Sequence, residues 1–115
     1  MNKKRIVLFA SGSGSNVENI VRYFQDSDKI QIVCVLSNKR EAFVFERCDL
    51  LNINAIYFNK TAFYKTDCML EILKSMNPDL IVLAGFLWKM PITITNSFPK
   101  RIINIHPALL PKYGG

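Results

Sequence analysis

The 115 residues are enough for one domain of ordinary size and exclude two packed domains. Half of them are hydrophobic and 21% are charged, a balance that can bury a core, whereas the apolar runs stop at about seven residues and exclude a bilayer span. The net charge of +6 favours anionic ligands, but beyond Lys3-Lys4-Arg5, Lys39-Arg40 and Lys100-Arg101 the cations stand alone without interleaved aromatics, so neither nucleic acid nor a membrane is expected as a partner.

The chain starts Met1-Asn2-Lys3-Lys4-Arg5 and enters an apolar run too short for the h-region of a signal peptide, so no export signal is read. Segments rich in aliphatic and β-branched residues then alternate with segments of helical period, the pattern of βαβ units in a doubly wound, mainly parallel, Rossmann-like sheet with helices on both faces. Strands are predicted at Arg5 to Ala10, Ile30 to Leu36, Ala55 to Phe58, Leu80 to Ala84 and Ile102 to His106. The first, second and fourth are nearly continuous apolar runs, as strands covered on both faces should be. Helical stripes fall at Val17, Ile20, Val21 and Phe24, more weakly at Ala42, Phe45 and Cys48, and again at Met69, Ile72, Leu73 and Met76. Asn77-Pro78-Asp79 ends the last of these helices.

Directly after the first strand lies Ser11-Gly12-Ser13-Gly14-Ser15-Asn16, followed at once by the first helix. Small residues let backbone N–H groups approach an anion, and the helix N-terminus adds its partial positive charge. A dinucleotide fingerprint would need a glycine where Val17 stands and an acid where Leu36-Ser37-Asn38 stands, and no Gly-Lys-Ser/Thr of the Walker type is present. What remains is a site for a single phosphate, with Ser11, Ser13, Ser15 and Asn16 as extra donors, or a tight turn that binds nothing.

After the fourth strand comes the apolar loop Gly85-Phe86-Leu87-Trp88-Lys89-Met90-Pro91. It either offers a surface to a flat aromatic ligand or closes the end of the core. At the end of the fifth strand, period-two alternation puts Asn104 and His106 on one face, and Pro107 keeps His106 out of helical geometry. His106 is the only histidine and the group suited to moving protons at neutral pH; Asn104 can donate an amide N–H to an oxygen that gains charge. If three strands build outward in one direction and the fourth starts the other, these three loops share one crevice at the carboxyl edge of the sheet. Cys34, Cys48 and Cys68 show neither a disulfide framework nor metal-ligand spacing, which fits a reducing cytoplasm and no metal.

Gly12-Ser13-Gly14-Ser15-Asn16, Ser37-Asn38-Lys39, Leu80 to Phe86, and above all Asn104-Ile105-His106-Pro107-Ala108-Leu109-Leu110-Pro111-Lys112-Tyr113 resemble the phosphoribosylglycinamide formyltransferase family, within the formyltransferase superfamily. The resemblance spans essentially all of residues 1–115, read as the N-terminal part of one such domain. It implies that Gly14, Ser15 and Asn16 bind the phosphate of glycinamide ribonucleotide, and that Leu87, Trp88, Lys89 and Met90, with Asn104, contact the formyl donor 10-formyltetrahydrofolate. It further implies that His106 serves proton transfer and Asn104 orients the formyl oxygen; a basic residue of the folate site falls near Lys65, where the spacing is shorter than the family's. The family's later part holds the aspartate that tunes the histidine and the strands that cover the fifth, so activity is expected to need that part, and the open sheet edge is expected to favour self-association. A 10-formyltetrahydrofolate hydrolase and a non-catalytic phosphometabolite-binding module are the alternative readings.

Overall fold

The computed structural model describes residues 2–105. Its elements follow in the order β1 (Lys4–Ala10), α1 (Ser15–Phe24), β2 (Ile30–Ser37), α2 (Val44–Leu51), β3 (Ala55–Tyr57), a π-helical turn (Thr61–Lys65), α3 (Cys68–Met76), β4 (Leu80–Ala84), α4 (Ile92–Ser97) and β5 (Ile102–Ile105). The five strands form one sheet in the order β3-β2-β1-β4-β5, every neighbouring pair parallel. The direction of winding therefore reverses between β1 and β4, as the sequence pattern requires of a doubly wound sheet.

Alternation along β1 divides the core into two layers. Val7 and Phe9 point to the side of α3, the π-helical turn and α4, where they join Leu36, Phe63, Met69, Leu73, Ile81 and Ile94. Ile6, Leu8 and Ala10 point the other way, toward Val17, Val21, Val44 and Cys48 of α1 and α2. Both sets are buried, which is why the strand reads as unbroken apolar sequence rather than as alternation. A register shift between Ile6 and Val7 skips one residue of β2, so Val33 and Cys34 both face the α3 layer.

Strand boundaries match the sequence reading to within one residue, and His106 lies outside the described residues. The α2 stripe needs correction. The helix begins at Val44, which with Cys48 is fully buried, while Ala42 and Phe45 are only half-buried. Ala42 precedes the helix, so it could not anchor a helical stripe. Asn77, in the left-handed region, caps α3 and receives its chain reversal ahead of Pro78. The π-helical turn and α4 go beyond the elements read from sequence: the first is a single five-residue turn, and the second is built from Ile92-Thr93-Ile94-Thr95, β-branched residues with no helical preference of their own.

Candidate active site at the switch point

Gly14 ends the loop after β1 and caps α1 with φ of +83°, a left-handed conformation that side chains resist. A Cβ at this position would also come within 2.5 Å of the Val44 Cγ2 atom and 2.9 Å of the Val44 Cα atom. Glycine is thus demanded twice, by backbone conformation and by the approach of α2. The first intrahelical bond runs from the Glu18 N–H to the Gly14 carbonyl at 2.8 Å, which leaves the amides of Ser15, Asn16 and Val17 at the uncovered start of the helix. No side chain among the described residues caps them, so the helix N-terminus presents donors and the positive end of its dipole, as an anion site requires.

Ser11 is not one of the phosphate donors expected from the sequence. It is 1% exposed, and its hydroxyl donates to Asn38 Oδ1 at 2.6 Å while accepting the Leu87 N–H at 2.9 Å. Its own N–H donates to the Gly85 carbonyl at 3.2 Å. One small side chain therefore ties together the tips after β1, β2 and β4, and its single hydroxyl proton is committed, which leaves it no donor for a phosphate. Asn38, the second half of this contact, stands in the sequence where a dinucleotide site would need an acid and within the Ser37-Asn38-Lys39 stretch of the family resemblance, and neither reading gives it this role. Its Nδ2 is the buried side-chain nitrogen that has no partner among the described residues.

Burial along the loop after β4 alternates residue by residue. Phe86 is buried, Leu87 is 73% exposed, Trp88 is half-buried, Lys89 is exposed and Met90 is half-buried. Trp88 packs on Phe58, Phe63, Tyr64 and Phe86 at ring separations of 5.8 to 6.5 Å, and the Lys60 ammonium lies 5.6 Å from its centroid. The core-closing reading of this loop therefore holds for Phe86 and Trp88, while Leu87 and Lys89 stand exposed on its other side. The Tyr64 hydroxyl donates to the Lys89 carbonyl at 2.6 Å, which fastens the π-helical turn to the loop and brings exposed Lys65, its last residue, into the same neighbourhood.

Asn104 is exposed on β5, opposite Leu83, and alternation puts it on the side of Ile102, which packs against the α3 layer. Its neighbour in the proposed chemistry, His106, lies outside the described residues. A cleft of about 620 Å³ opens between the loop after β1 and the segment after β2, lined by Ser11, Gly12, Ser13 and residues 39–43, with Lys39 and Arg40 on its far wall. A larger hollow of about 900 Å³, with Lys3, Lys4, Gln31 and Asn77 on its walls, lies at the amino edge of the sheet. Ligands of open α/β sheets bind at the carboxyl edge, so the site is assigned to the loop tips and not to the larger hollow.

Comparison with known proteins agrees with this geometry. The formyl transferase family model matches residues 4–115. The chain is 36% identical to a phosphoribosylglycinamide formyltransferase of Haemophilus influenzae over 97% of its own length and 55% of the relative's. It is 35% identical to the Bacillus subtilis enzyme of the same name over 97% and 60%. Among solved structures, the phosphoribosylglycinamide formyltransferase of Brucella melitensis superimposes with a TM-score of 0.85 at 33% identity, covering 99% of this chain and 62% of that one. The chain thus spans little more than half the length of these relatives. A parallel sheet that reverses direction beside the glycine-bearing loop after β1, together with a family match over nearly every residue, makes this chain a member of the formyl transferase family.

Proposed function

We propose that the chain carries the phosphate-binding and formyl-donor half of a phosphoribosylglycinamide formyltransferase, which passes the formyl group of 10-formyltetrahydrofolate to the amine of glycinamide ribonucleotide. In this reading the amides of Gly14, Ser15 and Asn16 receive the ribonucleotide phosphate at the start of α1. The folate lies along the loop after β4, against Leu87 and Lys89 and the flanks of Trp88 and Met90, with Lys65 near its acidic end. The substrate amine then attacks the formyl carbon. Asn104 donates its amide N–H to the formyl oxygen as charge gathers there, and His106 accepts the proton that the amine must lose. Collapse of the tetrahedral centre expels the folate nitrogen, which takes up a proton.

The observation that carries this reading is the triple contact of Ser11, because it fixes the phosphate loop and the loop after β4 at one separation, as a two-substrate transfer needs. The three free thiols suit a reducing cytoplasm, where such chemistry would operate. Calorimetric titration with glycinamide ribonucleotide tests the first half of the proposal: binding is expected for the chain as it stands and is lost in Gly14→Ala. Absence of binding by the folded wild-type chain overturns it. For the second half, turnover is expected once the chain is joined to the segment its longer relatives carry beyond the matched region, and His106→Ala then removes most of it. Formate released without an amine acceptor would instead identify a hydrolase.

A further inference from the structure

Arg47 belongs to α2, yet its guanidinium reaches across to the loop after β1. Its Nε donates to the Ser13 carbonyl at 2.6 Å, and its Nη1 bonds Glu18 Oε1 of α1 at 2.5 Å. The other oxygen of Glu18 accepts from Arg22 Nε at 2.8 Å. The plane of the guanidinium is steadied by the Phe43 ring, 5.0 Å below its central carbon. Side-chain exposures of 27% for Arg47 and 24% for Glu18 make this a partly covered contact at the protein surface, so its role is read from its geometry and not from its strength. Glu18 is held below the usual carboxylate range by Arg22 first and then Arg47.

The partner matters more than the count of bonds. A trans peptide points its C=O and the following N–H in opposite directions. The Ser13 carbonyl is turned toward α2 by Arg47, so the N–H of Gly14, in the same peptide unit, is turned away from α2. Gly14 tolerates both signs of φ, and with neither Cβ nor side chain to hold it, nothing in the glycine itself prevents this peptide from flipping. A flip would present a carbonyl to an incoming anion in place of a donor.

We propose that Arg47 is a positioning residue that locks the Ser13–Gly14 peptide in the orientation that offers the Gly14 N–H, together with the first amides of α1, to a phosphate. The inference rests on the phosphate reading of this loop for its functional consequence, but the lock itself is a property of the unliganded chain. Arginine suits the task because its rigid fork reaches the carbonyl and Glu18 together, which a lysine cannot do.

The test is backbone ¹⁵N relaxation dispersion on the unliganded chain, which reads a peptide flip directly, followed by titration with inorganic phosphate and with glycinamide ribonucleotide. In Arg47→Met, the Gly14 and Ser15 amides should show microsecond-to-millisecond exchange that wild type lacks, while β1 and β4 stay quiet. Affinity for either phosphate ligand should fall on the order of tenfold, as loss of a charge-assisted hydrogen bond implies. Arg47→Lys should recover part of both. Arg22→Met, which removes the other partner of Glu18 and leaves the Ser13 carbonyl held, should leave the loop as quiet as in wild type. If Arg47→Met does not fold, Arg47→Lys is read alone, and a loop as quiet as wild type in that variant overturns the proposal. So does a quiet loop in a folded Arg47→Met, or a drop in urea midpoint with no local change at residues 14–16, since a merely structural contact would give that. If the wild-type chain binds no phosphate, the phosphate reading fails; loop dispersion in Arg47→Met then still upholds the lock, and its absence defeats it.

Discussion

Gly14 and Ser11 show how much the candidate site depends on residues that do no chemistry. At Gly14 an alanine would have to hold φ near +83°, at a cost of roughly 1–2 kcal/mol for the left-handed backbone alone, and its methyl group would strike Val44. Gly14→Ala should therefore lower the urea midpoint and, on the proposed function, abolish ribonucleotide binding, and pairing it with Val44→Ala should restore part of the lost stability but not the binding, because the backbone strain remains. A double-mutant cycle in urea separates the two contributions. Ser11→Ala acts differently. It strands Asn38 Oδ1 and the Leu87 N–H inside the protein, so a loss of about 1–3 kcal/mol is expected by chemical denaturation. The loop after β4 would also lose its tie to the loop after β1, and on the proposed function formyl-donor affinity should fall with it.

At the scale of elements, what could be read from the sequence and what could not divide by the range of the interaction. Strands such as Leu80–Ala84 announce themselves through local composition, and the placement of the Gly12 to Gly14 turn between β1 and α1 follows from a few adjacent letters. Contacts that assemble the site do not. Ser11 meets Asn38 across 27 positions and Arg47 meets Ser13 across 34, and no local rule pairs a serine with an asparagine or an arginine with a carbonyl. The apolar loop after β4 was ambiguous because its composition serves both core and ligand, and only the alternating sides of residues 86–90 separate the two. That division is testable. Trp88→Ala, which opens a packed aromatic cluster, should cost about 3 kcal/mol of stability, while Leu87→Ala should stay within about 0.5 kcal/mol of wild type. If the formyl donor lies along this loop, Leu87→Ala should nonetheless weaken its binding, measured by equilibrium titration; a result in which only Trp88→Ala does so would move the ligand off this edge of the loop.

Across the whole molecule, the sheet separates two apolar layers, and each contains a buried thiol: Cys34 of β2 lies in the α3 layer and Cys48 of α2 in the opposite one. Burial raises both thiols to about 11 from an ordinary value of 9.0, and Cys48 adds a smaller upward push on Cys34. Because the folded chain keeps these protons to higher pH than the unfolded chain does, the unfolded state binds fewer protons between about pH 9 and 11, and stability must fall across that interval. Below pH 9 both states hold the protons and the effect vanishes. Urea midpoints measured from pH 8 to 11 should therefore decline more steeply in wild type than in a Cys34→Ala, Cys48→Ala variant, the comparison cancelling the lysines and tyrosines that titrate in the same range. Cys68 alone is exposed, so a thiol reagent at pH 8 should label one group rapidly in the native chain and three in urea. Rapid labelling of Cys34 or Cys48 without urea would mean that one of the two layers opens on its own, and that the loop tips at the switch point are carried by a less rigid sheet than its packing implies.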